Sequence, residues 1–172
     1  MALPTNRTTG TDSASHRDDH NTLHTQHNIS ELAPRGIVGT PGSKTADANM
    51  VQNTLTDVSG LSVTFTTVAG RRYRCRAVLY VSVFSAGGTS QGKADLQLQF
   101  DGTVMDSAVV GNNTSYTVSS TNCILEHVTL TAPSAASHTW KIQAAWTDGT
   151  QAAVVKGSST RPSYIYVEDI GV

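Results

Sequence analysis

Four of the six histidines, His16, His20, His24 and His27, fall within Ser13–Leu32. Imidazole is the side chain best suited to metal ligation and to proton transfer near neutral pH. On an α-helix, residues three and four apart share a face. His16, His20, Leu23, His27 and Ser30 follow one another at spacings of 4, 3, 4 and 3, an a/d heptad seam. In a three-helix bundle each such histidine becomes a ring of imidazoles suited to Zn²⁺ or Ni²⁺, so His16, His20 and His27 are the metal candidates. Two readings without metal compete: a solvated or partner-packed helix, and a self-associating one. The seam has one good apolar residue, Leu23, and so short a helix is marginal alone. A zincin site is excluded, because neither His16–His20 nor His20–His24 carries the HExxH glutamate.

Two other strings imitate catalytic signatures. Gly88-Thr89-Ser90-Gln91-Gly92 matches GxSxG, but a nucleophile elbow needs a helix after it, and Lys93–Phe100 alternates as a strand does. His16-Arg17-Asp18 matches the kinase HRD string without its downstream Asn or a phosphate loop. No catalytic residue and no cofactor are expected.

The elements that would carry these residues are a short helix and a β domain. Met1–Thr11 is polar and aperiodic, a flexible arm. Asp12 or Ser13 can cap a helix that starts near Ala14, and Pro34 and Gly36 end it. Pro34–Ser43, with two Pro and three Gly, reads as linker. The expected division is therefore 1–43, arm, helix and linker, and 44–172, a β-sandwich of jelly-roll type. Beyond Val51 the period is two. Leu61, Val63 and Phe65 alternate with polar residues. In 72–84, Tyr73, Cys75, Ala77, Leu79, Val81 and Val83 make one apolar face. The other face begins with Arg72, Arg74 and Arg76 and continues as Val78, Tyr80 and Phe84. A strand apolar on both faces lies inside a sandwich or at a subunit interface. Val78, Tyr80 and Phe84 are accordingly interface candidates, together with Tyr164 and Tyr166. The arginines, with Arg71, read as a solvated or edge-protecting face, or one for an anionic partner. Trp140 and Trp146 read as core or interface rather than as a sugar platform. Asp101-Gly102 and Asp148-Gly149 mark hairpin turns. Separate strands are expected near 115–119 and 123–131, and eight or nine strands in all.

Bulk properties narrow the classes. The chain has 172 residues, 15% of them charged, with a net charge of −1. That balance argues against a nucleic-acid surface, which needs clustered cations. No apolar run approaches the ~18 residues that span a bilayer, and no secretory h-region is seen. Cys75 and Cys123 are too few for a disulfide framework and read as reduced, buried thiols.

Two segments go further. His16-Arg17-Asp18-Asp19-His20-Asn21-Thr22-Leu23 resembles the H-x-x-D-H-N-x-L segment near the N-terminus of minor tail and other virion proteins of actinobacterial siphophages. Pro162 to Gly171, ending Val167-Glu168-Asp169-Ile170-Gly171, resembles the P-x-x-x-x-V-E-D-I-G close of similar proteins. The strand order from Gly70 to Met105 is loosely similar to trimeric jelly rolls of the C1q and tumour-necrosis-factor type. The resemblance implies a non-enzymatic virion protein, a homotrimeric tail-tip or fibre component assembled in the host cytoplasm. Its docking residues would be His16, Asp19, His20, Asn21, Leu23 and His27, and its partners itself and other virion proteins. A capsid decoration protein and a module binding host cell-wall glycan through loops at Ala86–Gly92 or Gly111–Ser115 are the alternatives.

Overall fold

The structure, a computed structural model, describes residues 34–84, 92–112, 118–147 and 153–172. The histidine-rich segment with its docking and metal candidates, Ser90, most of the two candidate glycan loops and the Asp148-Gly149 turn lie outside the described residues.

Eleven strands are described. They are β1 (Gly36–Lys44), β2 (Ala48–Asn49), β3 (Val51–Gln52), β4 (Thr56–Thr66), β5 (Arg72–Phe84) and β6 (Gly92–Phe100), then β7 (Thr103–Asn112), β8 (Val118–Val128), β9 (Ser137–Thr147), β10 (Val154–Lys156) and β11 (Ser163–Gly171). β5 is the spine of the first sheet. Along one edge it pairs with β11 and then β10, and along the other with β8, all antiparallel; β1 lies outside β11, and β2 outside β10. In the second sheet β9 pairs with β4 and, in parallel, β3 on one edge and with β6 on the other; β7 lies outside β6.

The alternation read from sequence sets the faces. Tyr73, Cys75, Ala77, Leu79, Val81 and Val83 are all buried, as are Leu61, Val63, Leu96, Leu98, Trp140, Ile142, Ile165 and Val167. Both sheets contribute to this one core. Each such aliphatic side chain contributes roughly 1.5–3 kcal/mol. The polar tips of the buried aromatics are satisfied: the Val68 N–H donates to the Tyr73 hydroxyl at 2.8 Å, and Trp140 Nε1 donates to His127 Nδ1 at 3.3 Å.

The expected linker at Pro34–Ser43 is instead most of β1, paired with β11, and the β domain extends from Pro34 to Val172. An edge strand pairs on one side only and tolerates Pro, and the register slips between Val38 and Gly42. Gly42 is required there, since a Cβ would stand 2.6 Å from the Gly60 carbonyl oxygen. The two strands expected between Ser115 and Thr131 are one, β8, paired with β5 without interruption from Val118 to Val128. β5 is thus interior to its sheet, and its arginines protect no edge. Asp101 and Gly102 have φ of 47° and 82° and close the β6–β7 hairpin, as a primed turn requires.

Candidate functional site

The outer face of the β5 sheet is built in rows across β11 or β10, β5 and β8. From one end these are Glu168–Arg74–Val128, Tyr166–Arg76–Glu126, Tyr164–Val78–Ile124 and Lys156–Tyr80–Asn122. Charge gives way to an apolar, aromatic band. Tyr164 and Tyr166 stack with ring centroids 6.2 Å apart, and Ile124 is 51% exposed. Arg74 spans to Glu168, its Nε donating at 2.8 Å. Arg76 Nε is buried without a hydrogen-bond partner among the described residues. Four of the five interface candidates, Val78, Tyr80, Tyr164 and Tyr166, are therefore contiguous. Phe84 lies two rows further on, past Ser82 and Ser120, whose hydroxyls bond at 2.6 Å.

The outer face of the other sheet is polar. Gln99 Nε2 donates to Gln143 Oε1 at 2.7 Å, Gln143 Nε2 to Asp57 Oδ1 at 2.7 Å, and Lys141 Nζ to Asp57 Oδ2 at 3.0 Å. This network is satisfied within the chain, and beside it on the same face Val104 and Val109 of β7 stand exposed, at 46% and 66%.

Arg71 separates from the other arginines. It turns inward to Asp169, Nε to Oδ2 at 2.5 Å and Nη2 to Oδ1 at 2.7 Å, with both side chains almost fully buried. Asp169 Oδ1 also accepts the Gly171 N–H at 2.9 Å, an Asx turn at a glycine with φ of 92°. The alternation of Val167-Glu168-Asp169-Ile170-Gly171 is thereby explained: Val167 in the core, Glu168 on the outer face, Asp169 in the ion pair.

Beside Tyr80 lies a cleft of about 400 Å³ lined by Asp47, Tyr80, Lys156, Ser158, Thr160 and Arg161. Its wall is a closed turn: the Ser158 N–H donates to the Arg161 carbonyl at 3.3 Å, and the Arg161 N–H to Ser158 Oγ at 2.9 Å. Ser163 stitches the turn to the sheet, donating to the Lys156 carbonyl and accepting the Tyr80 N–H at 2.7 and 2.9 Å. Asp47 takes Lys156 Nζ at 2.5 Å and the Gly157 N–H at 3.1 Å, and the Lys156 hydrogen bond holds its carboxyl below the usual range. The Arg161 guanidinium lies 4.0 Å from the Tyr80 ring centroid and donates to Asn122 Oδ1 at 3.2 Å. Sequence reading missed this cleft, because its residues come from three separate stretches.

A third constellation imitates a catalytic triad. His138 Nδ1 lies 2.5 Å from Asp101 Oδ2, and Nε2 lies 3.4 Å from Ser134 Oγ. Nε2 is nearer, at 3.1 Å, to the Ser134 carbonyl, which only accepts. The Ser134 carbonyl is satisfied only when Nε2 carries a proton, and a protonated Nε2 has no lone pair with which to activate the serine. The Asp101 bond raises the His138 pKa above 6.5. Burial pushes the Asp101 carboxyl up, but the His138 and Thr139 hydrogen bonds outweigh it and the net shift is downward from 3.8. This is a clamp on the hairpin turn. Its histidine contribution is full below pH 6.5 and is lost as pH rises through the raised value; its aspartate contribution is full above 3.8 and is lost as pH falls through the lowered one. A pH series of thermal melts should therefore show wild type gaining on H138Q between about pH 4 and 6.5 and losing that gain toward alkaline pH. Parallel curves would remove the clamp.

Both cysteines are free thiols whose pKa values burial pushes up, which makes them poor nucleophiles. Among the described residues, no group of three or more His, Cys, Asp or Glu is placed to hold a metal ion.

No protein-family model matches the chain, and no curated protein does. Among solved structures it is similar to the EclA C-terminal domain, a sugar-binding protein, at 10% identity over 72% of this chain and 76% of that one, with a TM-score of 0.30. Dimeric latent PorU from Porphyromonas gingivalis is matched at 10% identity over 81% of this chain and 13% of that one, with a TM-score of 0.32. A structure of infectious bursal disease virus, Gx strain, is matched at 15% identity over 81% of this chain and 37% of that one, with a TM-score of 0.26.

Proposed function

We propose that this chain is a non-enzymatic structural protein of a bacteriophage particle, a homotrimeric tail-tip or fibre component whose β domain projects from a docked N-terminal segment. The particle assignment rests on the resemblance of His16–Leu23 and of Val167–Gly171 to virion proteins. The strand orders β1–β11–β5–β8 and β4–β9–β6–β7 support a jelly roll, in which two four-stranded sheets interleave along the chain. Self-association is carried by one observation, the contrast between the two outer faces. One is a polar network at its centre with the single valines Val104 and Val109 at its β7 edge; the other is a contiguous aromatic band with charges at its rim, the anatomy of a protein interface. The buried Arg76 Nε has no acceptor among the described residues, and a neighbouring copy could supply one.

Light scattering on the full chain tests the reading. A trimer is expected at micromolar concentration. Tyr164→Lys, at a side chain already 38% exposed, should leave the melting temperature nearly unchanged and shift the mass to that of a monomer, since an interface tyrosine can carry 2 kcal/mol or more, ~30-fold per site. A wild-type monomer that never joins particles overturns it. Capsid decoration is the alternative position on the particle. Glycan binding is compatible with either, and the cleft beside Tyr80 is what favours it.

A further inference from the structure

We propose that the cleft beside Tyr80 binds an acidic sugar, seating its carboxylate or phosphate on Arg161. The inference rests on the glycan-binding alternative and assigns it a place and a ligand class. The charges decide the sign. Lys156 is neutralised by Asp47, whereas Arg161 meets a neutral amide oxygen and an aromatic ring and forms no ion pair among the described residues. The lining thus carries one cation in excess: Lys156 and Arg161 against Asp47.

The guanidinium is held in place before any ligand arrives. The Tyr80 ring lies under its Cζ, Asn122 takes one N–H, and the Ser158–Arg161 turn fixes its backbone. Of its five N–H donors, four have no acceptor among the described residues. A planar fork in a fixed position suits a carboxylate or a phosphate, and fixing it beforehand lowers the entropic cost of binding. The rest of the lining suits a polyol. Ser158 Oγ and Thr160 Oγ1, 3.3 Å apart, and the Asp47–Lys156 pair provide donors and acceptors for sugar hydroxyls. The volume falls within the ~300–1,000 Å³ of small-molecule sites. Gly157 is obligatory in the wall, since a Cβ would stand 2.4 Å from the Lys44 carbonyl oxygen.

The test is calorimetric titration of the full chain with glucuronate, glucose 6-phosphate, glucose and inorganic phosphate, with the mass measured in the same sample. At least one acidic sugar should bind saturably at millimolar concentration or below. Which one does so identifies the anionic group as carboxylate or phosphate. Glucose and inorganic phosphate should each bind about tenfold more weakly or worse. R161Q should weaken the acidic sugar about tenfold or more, and R161K, which keeps the charge without the fork, should fall between. Melting temperatures confirm that both variants fold. Binding of neither acidic sugar, equal binding by R161Q, or equal binding of inorganic phosphate overturns the proposal. A monomer that binds the sugar would support the cleft and remove the trimer; a trimer that binds neither would do the reverse.

Discussion

Asp169→Ala should destabilise the β domain by about 3–5 kcal/mol, roughly 10–20 °C in melting temperature. The pair it breaks is almost fully buried, with side-chain exposures of 3% for Arg71 and 2% for Asp169. Removing the carboxylate takes from a buried guanidinium its bidentate counter-ion, while the desolvation cost of that charge remains. The Asx turn at Gly171 is lost as well. Asp169→Asn should cost less, because it keeps an acceptor for the Gly171 N–H. Replacing both members, R71M with D169L, should recover much of the loss. Urea unfolding of the four proteins checks the order. If D169A is as stable as wild type, the pair is not an organising contact of β11, and the explanation offered for the alternation in Val167–Gly171 fails.

Trp140→Ala should have an effect of similar size, about 3–5 kcal/mol, through a different cause. Trp140 has no exposed surface and joins an aromatic cluster. It stacks on Phe65 at 5.6 Å with an interplanar angle of 11° and meets Phe100 at 4.5 Å. Its removal opens a cavity between the sheets and takes the donor from His127 Nδ1, on a ring whose burial lowers its pKa and keeps it neutral. Trp140→Phe keeps most of the volume and isolates the hydrogen bond, at about 1 kcal/mol. Circular dichroism is the suitable probe, because the substitution alters the fluorescence. A loss under about 1 kcal/mol in the alanine variant would mean that the cluster closes over the gap.

The two predictions differ in how legible their residues were. Trp140 reads as core or interface from sequence, since it alternates with polar neighbours on one strand and alternation is local. The Arg71–Asp169 pair joins residues 98 apart, and nothing near either one announces the other. Arg71 stands beside three arginines on the outer face, and it falls on the alternate, inward parity with Tyr73 and Cys75. The aromatic band was half legible: Val78, Tyr80, Tyr164 and Tyr166 are visible as a second apolar set. Their adjacency depends on the β5–β11 register, which places Val78 opposite Tyr164 and Arg76 opposite Tyr166. Phe84 had the same signal and lies apart from the band, because Ser82 intervenes.

The same division runs through the elements. Where one face is buried and the other is not, the side-chain pattern alone determines a strand and its orientation, as in β5, β6 and β9. β1 and the first half of β8 lack that pattern. β1 is rich in Gly and Pro, and in β8 Val118 is followed by Ser119, Ser120, Thr121 and Asn122, so both become strands only because β11 and β5 provide backbone partners. The β class and the inward faces were determined by the sequence itself, through spacing that needs no distant partner. The cleft at Arg161, the ion pair at Asp169 and the contrast between the two outer faces were decided by tertiary structure. Each depends on which strands lie side by side, and strand pairing is settled by contacts between residues far apart in the chain.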